Sequence, residues 1–575
     1  MSALRASVAS VALSIVLTGC SLLITDETCV SDTECPTDQR CAEEGFCIPI
    51  EVATCVDSSG CASGEVCNAS GRCEALEDPG CERLGSEAED ALVLGFIMTF
   101  SGPYAESGID QRRVVNLALE EINEKGGFLA EAGQRELAFL ACDDKADKEQ
   151  AKAAATYLVS MGVPAILGPG FSSLLQEVAT EVTIPTGTFT LSPSSTAVSI
   201  RELDDEDLIW RISSSDTKQA NTLAYFALWL ALEKQNVTNE VRVVAVHTND
   251  NYGAGFREGF EAALDAYSLA YASTLNDANI TVNFSALPRV AEADSSPEEW
   301  EAEVERVLGE LKDTEPDMML FVGYEDVAGI LAEVRQDEGL KTVPLLLTDG
   351  VASVTLATTY DDPSQLPEHI FGVQPGYRTG AAYEHFVQLY EDPVPPTWTE
   401  YTYDAVYLLA YAAASMSADT LNGQGFVEAF KRFDDPEAKR RVNVGPDHFI
   451  TACQDMADGL SLNVRGASGD LDFDLNTGEP KSVGIMRWKV DFPKLNEPGE
   501  IVDCGLAMIH KADASVPMTY WCNATCSAPS SESPPCVDGS CEAELIGSEG
   551  EESEALICSQ GRCTGSDDCR PELAP

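Results

Sequence analysis

The chain has 575 residues, too many for a single core, and 44% of them are apolar, enough to bury more than one. Its 36 Lys and Arg stand against 96 Asp and Glu. The resulting net charge of −60 repels nucleic-acid phosphates and anionic membrane surfaces and gives a well-solvated exterior. There are five histidines and no H-E-x-x-H pair, no G-x-S-x-G elbow and no G-K-[ST] phosphate loop. The pattern therefore points away from an enzyme and calls for no cofactor or metal. The acidic pairs Asp143-Asp144 and Asp204-Asp205 read as solvated loop charges.

In chain order, a leader comes first. Arg5 makes the amino terminus positive, and Ala6 to Leu17 is apolar or small. Only 14 residues separate Arg5 from Cys20, short of the roughly 20 that cross a bilayer. Residues 1–20 thus read as a signal peptide. They end in Leu17-Thr18-Gly19-Cys20, which resembles a bacterial lipobox. That resemblance implies lipidation of Cys20 and anchoring in the cell envelope, on the periplasmic side or the outer-membrane surface.

Residues 21–85 are cysteine-rich. Cys29, Cys35, Cys41 and Cys47 are separated by five residues each, and the pattern returns as Cys55, Cys61, Cys67 and Cys73, then begins again at Cys81. This is a 26-residue repeat. The intervening stretches are polar and cannot build a core, so disulfides are expected to hold them. The spacing lacks the paired short knuckles of most zinc sites. It resembles the Dickkopf-like repeats of some bacterial surface lipoproteins, as recognition units or as a stiff stalk. Removing Cys20 leaves 19 cysteines, so at least one is a thiol or pairs with another chain.

From Ala91 strands and helices alternate. Leu92 to Phe100, Leu137 to Cys142, Ala165 to Leu167 and Thr186 to Leu191 read as strands. Between them, Asp110 to Asn123, Lys148 to Met161 and a segment after Ser172 read as helices. The rhythm repeats with helices over Gln219 to Lys234, Gly255 to Tyr267, Pro297 to Leu311 and Val327 to Val334. The strands of that half are Val241 to Thr248, Asn279 to Leu287, Met318 to Val322 and Pro344 to Thr348. Such alternation gives parallel sheets with crossover helices, and two runs give two lobes. Cys142, at a strand end, is expected to be a buried thiol, with a disulfide to a nearby cysteine as the alternative. After Phe492 the chain turns irregular, and residues 493–575 read as an acidic, disulfide-stapled tail outside the core.

Sheets of this kind bind ligands beyond the carboxyl ends of their strands. Gly168 to Ser173 and Ser192-Pro193-Ser194-Ser195-Thr196 offer backbone N–H groups and a helix start to a carboxylate, unless they serve only as caps. Asn249 to Gly253, Gly323-Tyr324 and Asp349-Gly350 bring Tyr252, Tyr324 and Asp349 to one sheet edge. Tyrosines can cover an apolar ligand body, and Asp349 can pair with an ammonium.

Several stretches, in the right order, carry a family resemblance. They are Ser101-Gly102-Pro103-Tyr104, Ala118 to Asn123 followed by Gly126-Gly127, Cys142-Asp143-Asp144, the turns just described, and Tyr403 to Leu409. Over Ala91 to Phe492 the chain resembles the leucine/isoleucine/valine-binding type of periplasmic binding protein. The resemblance implies a cleft between two closing lobes that takes an amino acid or similar amine. Ser172 or Ser173 would meet the ligand carboxylate, and Ser194 and Thr196 would hold carboxylate and ammonium. Tyr252 and Tyr324 would close from the second lobe, Asp349 would hold the ammonium and Tyr104 would line the side-chain pocket. Ser194-Ser195 stands where the family often has Ala, which implies contact through backbone carbonyl rather than hydroxyl. The tract before Trp300 is longer than usual in the family.

The expected architecture is α/β, with two doubly wound parallel-sheet lobes joined by a three-segment hinge and flanked by disulfide-rich modules. Lobe one would comprise Ala91 to Ser213 and Gln374 to Gly466; lobe two would comprise Ser214 to Val373 and Ala467 to Phe492. The expected partners are an amine ligand, the membrane through the lipid anchor, and either an ABC permease or a signalling receptor.

Overall fold

The computed structural model describes residues 78–491 except 131–132, 232–239, 275–280, 292–294, 354–355, 357–369, 377–379, 392–394, 434–439 and 482. Outside that span it describes the strand Glu500–His510 and short strands. Cys20 and the leader before it lie outside the described residues. The chain divides into two units, Met1–Ala75 and Leu76–Pro575.

In the first unit the 26-residue repeat reappears as two equivalent hairpins. Gln39–Cys41 pairs antiparallel with Cys47–Pro49, and Glu65–Cys67 pairs with Cys73–Ala75. Cys41 lies opposite Cys47 and Cys67 opposite Cys73, and Cys73 is disulfide-bonded.

The second unit carries two large sheets, beside several two-stranded ones. The first uses β1 (Glu82–Gly85), β2 (Leu92–Met98), β3 (Leu137–Asp143), β4 (Ala165–Leu167), β5 (Phe189–Ser192) and β6 (Ile209–Arg211). Their order is β6-β5-β4-β2-β3-β1, all parallel except β1, which runs against β3. The second sheet uses β7 (Glu240–His247), β8 (Thr281–Pro288), β9 (Met318–Val322), β10 (Leu345–Leu347) and β11 (Ile370–Pro375). It is completed by β12 (Val483–Asp491), β13 (Glu500–His510) and β14 (Met518–Thr519), in the order β8-β7-β9-β10-β11-β12-β13-β14. Pairing is parallel from β8 to β11 and antiparallel from β11 to β14.

Both faces of each sheet are covered, because the strands are apolar on both sides. The first sheet is flanked by α1 (Glu106–Glu124), α2 (Lys148–Ser160) and α3 (Ser172–Val178). Along β2, Leu94, Phe96 and Met98 enter one cluster with Val114 and Leu119 of α1. Ile97, pointing the other way, joins Ala151 and Leu158 of α2 and Leu174 of α3. The second sheet repeats the pattern with α4 (Thr217–Trp229), α5 (Asn251–Thr274), α6 (Pro297–Thr314) and α7 (Val327–Val334). Met318, Leu320 and Val322 face Leu223 of α4 and Phe256 of α5, while Met319 and Phe321 face Val307 of α6 and Leu331 of α7. Local signals fix the helix starts: Asp147 caps α2 by accepting from the Gln150 amide, and Ser296 and Glu299 form a capping box on α6. The chain then returns to the first lobe through α8 (Ala381–Tyr390), α9 (Thr399–Ala414), α10 (Gly423–Phe430) and α11 (Phe449–Ala457). Every residue of α9 is buried, as its near-continuous apolar and aromatic run demands.

Four expectations change. Cys142 is bonded to Cys81 rather than a thiol, because β1 lays the third repeat's first cysteine against β3. Among the described residues, a buried thiol is instead found at Cys453. Ala467, Leu471 and Phe473 pack into the first-lobe core, so the last return to the second lobe falls after Phe473 and not at Ala467. The segment around Cys504 is no tail: β13 pairs with β12 and extends the second sheet, as the apolar and β-branched content of Ile501, Val502, Leu506 and Ile509 favours. Finally, Asp144 is fully buried, not solvated. It accepts hydrogen bonds from Thr99 Oγ1 and the Ala146 amide, and burial lifts its pKa to about 6.

The first and last crossings between lobes are tied together, and the middle one is tied to the return segment. Glu479, on the last crossing, pairs with buried Arg211 at the end of β6 and accepts from the Ser215 amide on the first crossing. Gln374, on the middle one, accepts from Thr397 Oγ1 at 2.6 Å.

Candidate ligand cleft

The carboxyl ends of both sheets face a cavity of about 80 Å³. On the first lobe two strand-to-helix turns are stitched to one another. Gly168 after β4 has a φ of +92°, and a Cβ there would sit 2.0 Å from the Ile97 carbonyl oxygen, so only glycine admits this close turn. The next turn, after β5, folds back on it. Ser192 Oγ donates to Pro169 O at 2.8 Å, and Ser195 Oγ donates to Gly170 O at 2.9 Å. Ser172 Oγ accepts from the amides of Thr196 and Ala197, each at 3.1 Å. Ser172, Ser194 and Thr196 line the cleft, at the amino end of α3, where the helix dipole favours negative charge. Ser173 does not line it. The Ser194 hydroxyl donates to Gly170 O at 3.3 Å.

The second-lobe wall is acidic and aromatic. Tyr252, in the first turn of α5, donates to Asp349 Oδ1 at 2.7 Å. Gly350 lets β9 and β10 end close together, since a Cβ there would lie 2.3 Å from Gly323 O. Asp349 is only 3% exposed. Burial raises its pKa, and hydrogen bonds from Tyr252 and Gln219 pull the other way. Behind it Asp216 is fully buried, and burial followed by the charge of Asp349 pushes its pKa well above the usual carboxylate range. Each disfavours the other's charge, so Asp216 is held toward its neutral form and Asp349 is the carboxylate that faces the cleft.

The lobes touch across the cleft. Phe171 and Tyr324 meet edge-on with ring centroids 4.7 Å apart, and Tyr104 and Tyr324 with centroids 5.9 Å apart. Tyr104 OH donates to Asp326 Oδ2 at 3.3 Å. Every expected site residue except Ser173 thus lies at this cavity. The sequence reading did not single out Phe171, Glu325 or Trp398, which also line it, nor Asp216 and Gln219 beside Asp349. Glu325 follows Tyr324 at a strand end, so the same strand-end rule points to it. Trp398 arrives from the return segment before α9 and carries no local signal. Among the described residues no group of His, Cys, Asp and Glu is placed to hold a metal ion. No described helix is long and apolar enough to cross a membrane.

Two doubly wound lobes, a three-strand hinge and a cleft at the strand ends define a two-lobed solute-binding protein. The periplasmic binding protein family model matches residues 92–458, and the chain belongs to that family, whose members are extracytoplasmic solute-binding proteins and not enzymes. The chain is 28% identical over 249 residues to the Leu/Ile/Val-binding protein BraC3 of Rhizobium johnstonii, covering 43% of this chain and 58% of that protein. It is 24% identical over 412 residues to the Leu/Ile/Val-binding protein homolog 1 of Brucella abortus, covering 70% of this chain and 91% of that one. Among solved structures, the branched-chain amino acid transporter substrate-binding protein LivJ of Streptococcus pneumoniae, in complex with isoleucine, aligns with a TM-score of 0.50 at 19% identity. It covers 72% of this chain and 99% of that chain. At that identity the likeness speaks to the fold alone.

Proposed function

We propose that this protein is a lipid-anchored extracytoplasmic receptor that binds an amino acid or similar small amine in the interlobe cleft and hands it to an ABC-type permease. The observation that carries the reading is the opposition of two poles. Asp349 offers a carboxylate on one wall; Ser172, at the start of α3, offers a hydroxyl proton and a helix dipole on the other, with Thr196 beside it. A zwitterion matches both. Relatives named for leucine, isoleucine and valine binding support the ligand class, and the lipobox at Cys20 supports the anchor.

A second reading is favoured by the cysteine repeats: a surface sensor whose closure signals to a partner without transport. Their hairpins, repeated at Cys41/Cys47 and Cys67/Cys73, would suit a stalk or a recognition unit.

The test is a thermal-shift screen of the full chain against the common amino acids and small amines. A ligand at a hundredfold its Kd should add about 2.7 kcal/mol to apparent stability. At least one of these compounds is expected to raise Tm by several degrees. No rise with any of them at millimolar concentration contradicts an amine ligand.

A further inference from the structure

We propose that the ligand carries a second cationic group, held by Glu325, so that the site selects a basic amino acid or a diamine over an aliphatic amino acid. The inference rests on the cleft being the ligand site and concerns what pairs with its second buried carboxylate.

Glu325, directly after β9, lines the cleft and is 7% exposed. It stands among groups different from those around Asp349. Burial first, then the nearby carboxylates Glu106 and Asp326, raise its pKa to about 7. Asp326 is paired with Arg289 Nη1 at 2.6 Å, with both side chains fully buried, so that cation is already engaged. Glu106, in the first turn of α1, also lines the cleft, as does Asp110 one turn further on. Among the described residues lining the cavity there is no Lys, Arg or His. A purely aliphatic ligand would leave Glu325 buried without a counter-charge, which costs more than pairing it. An ammonium or guanidinium held by Glu325 and Glu106 removes that cost. Tyr104, Phe171 and Tyr324, packed edge-on, can cover the methylene stem between the two charged ends. The field of a chain with net charge −60 draws cations in and keeps anions out.

The experiment is titration calorimetry of the full chain with lysine, arginine, ornithine and putrescine, and with leucine and glutamine as uncharged-side-chain probes. Glu325→Gln is measured against the same set. The proposal expects the best cationic probe to bind at least tenfold more tightly than leucine or glutamine. It also expects Glu325→Gln to erase most of that advantage while changing leucine affinity little. If leucine or glutamine binds more tightly than every cationic probe, or if Glu325→Gln leaves cation affinity unchanged, the proposal falls and the amine-binding reading stands. If no probe binds, both fall.

Discussion

On the first-lobe wall of the cleft, Ser172, Ser192 and Ser195 commit their hydroxyls to neighbouring backbone groups, and the two turns hold one another in place. On the second-lobe wall, Asp349, Asp216 and Glu325 are carboxylates taken out of water, and burial pushes each of them toward the protonated form. The first wall is stable without ligand. The second is held at a cost that a cationic ligand relieves. Binding determinants that stabilise the fold and determinants that strain it therefore sit on opposite walls of the cleft.

The contrast can be broken from either side. Replacing Ser172 by Ala removes the acceptor of two buried backbone amides and should cost about 1–3 kcal/mol of stability, read as a lower urea midpoint. Ser173→Ala, one residue on and away from the cleft, should stay within about 0.5 kcal/mol. Equal midpoints for the two variants would mean that the turn is not held by the Ser172 hydroxyl.

The second wall should respond with the opposite sign. Glu325 has a folded pKa of about 7, raised from 4.5. Below pH 4.5 it is neutral in both folded and unfolded states and costs nothing. As the pH climbs from 4.5 through 7 the unfolded state ionises first, and the folded state loses relative stability. Glu106 and Asp326 reinforce this, while Arg289 is engaged by Asp326. Without ligand, Glu325→Gln should therefore raise Tm at pH 8, by an equivalent on the order of 1–2 kcal/mol, and leave it nearly unchanged at pH 4. No gain at pH 8, or the same gain at both pH values, would contradict a buried, strained carboxylate.

Much of this arrangement is legible in the sequence because it depends on local signals. Strands such as Met318–Val322 and helices such as Val327–Val334 have the boundaries their apolar pattern predicts. The rule that ligands sit beyond strand ends is enough to bring Ser172, Thr196, Tyr252, Tyr324 and Asp349 to one cavity. What escapes the sequence is set by long-range packing. The partner of Cys142 is Cys81, 61 residues away, and nothing near Cys142 announces it. Asp144 reads as a loop charge until Thr99, 45 residues earlier, is seen to donate to it. Trp398 joins the cleft only because the chain passes back across the hinge. Asp216 gains its meaning from Asp349 on another strand end. The strand over Glu500–His510 was hidden by its cysteine, which made it look like part of the tail.

The central claim is that Asp349 holds a ligand ammonium opposite the Ser172 and Thr196 turns. Its most direct test is calorimetry of wild type, Asp349→Ala and Glu338→Ala with the strongest ligand from the thermal-shift screen. Glu338 is an exposed carboxylate paired with Lys341 at 2.6 Å, and its loss should change affinity less than twofold, about 0.4 kcal/mol. Loss of a buried charge-assisted hydrogen bond, roughly 1.5–3 kcal/mol, should make Asp349→Ala bind about ten- to a hundredfold more weakly with the fold intact. Affinity equal to wild type in a folded Asp349→Ala protein would contradict the account.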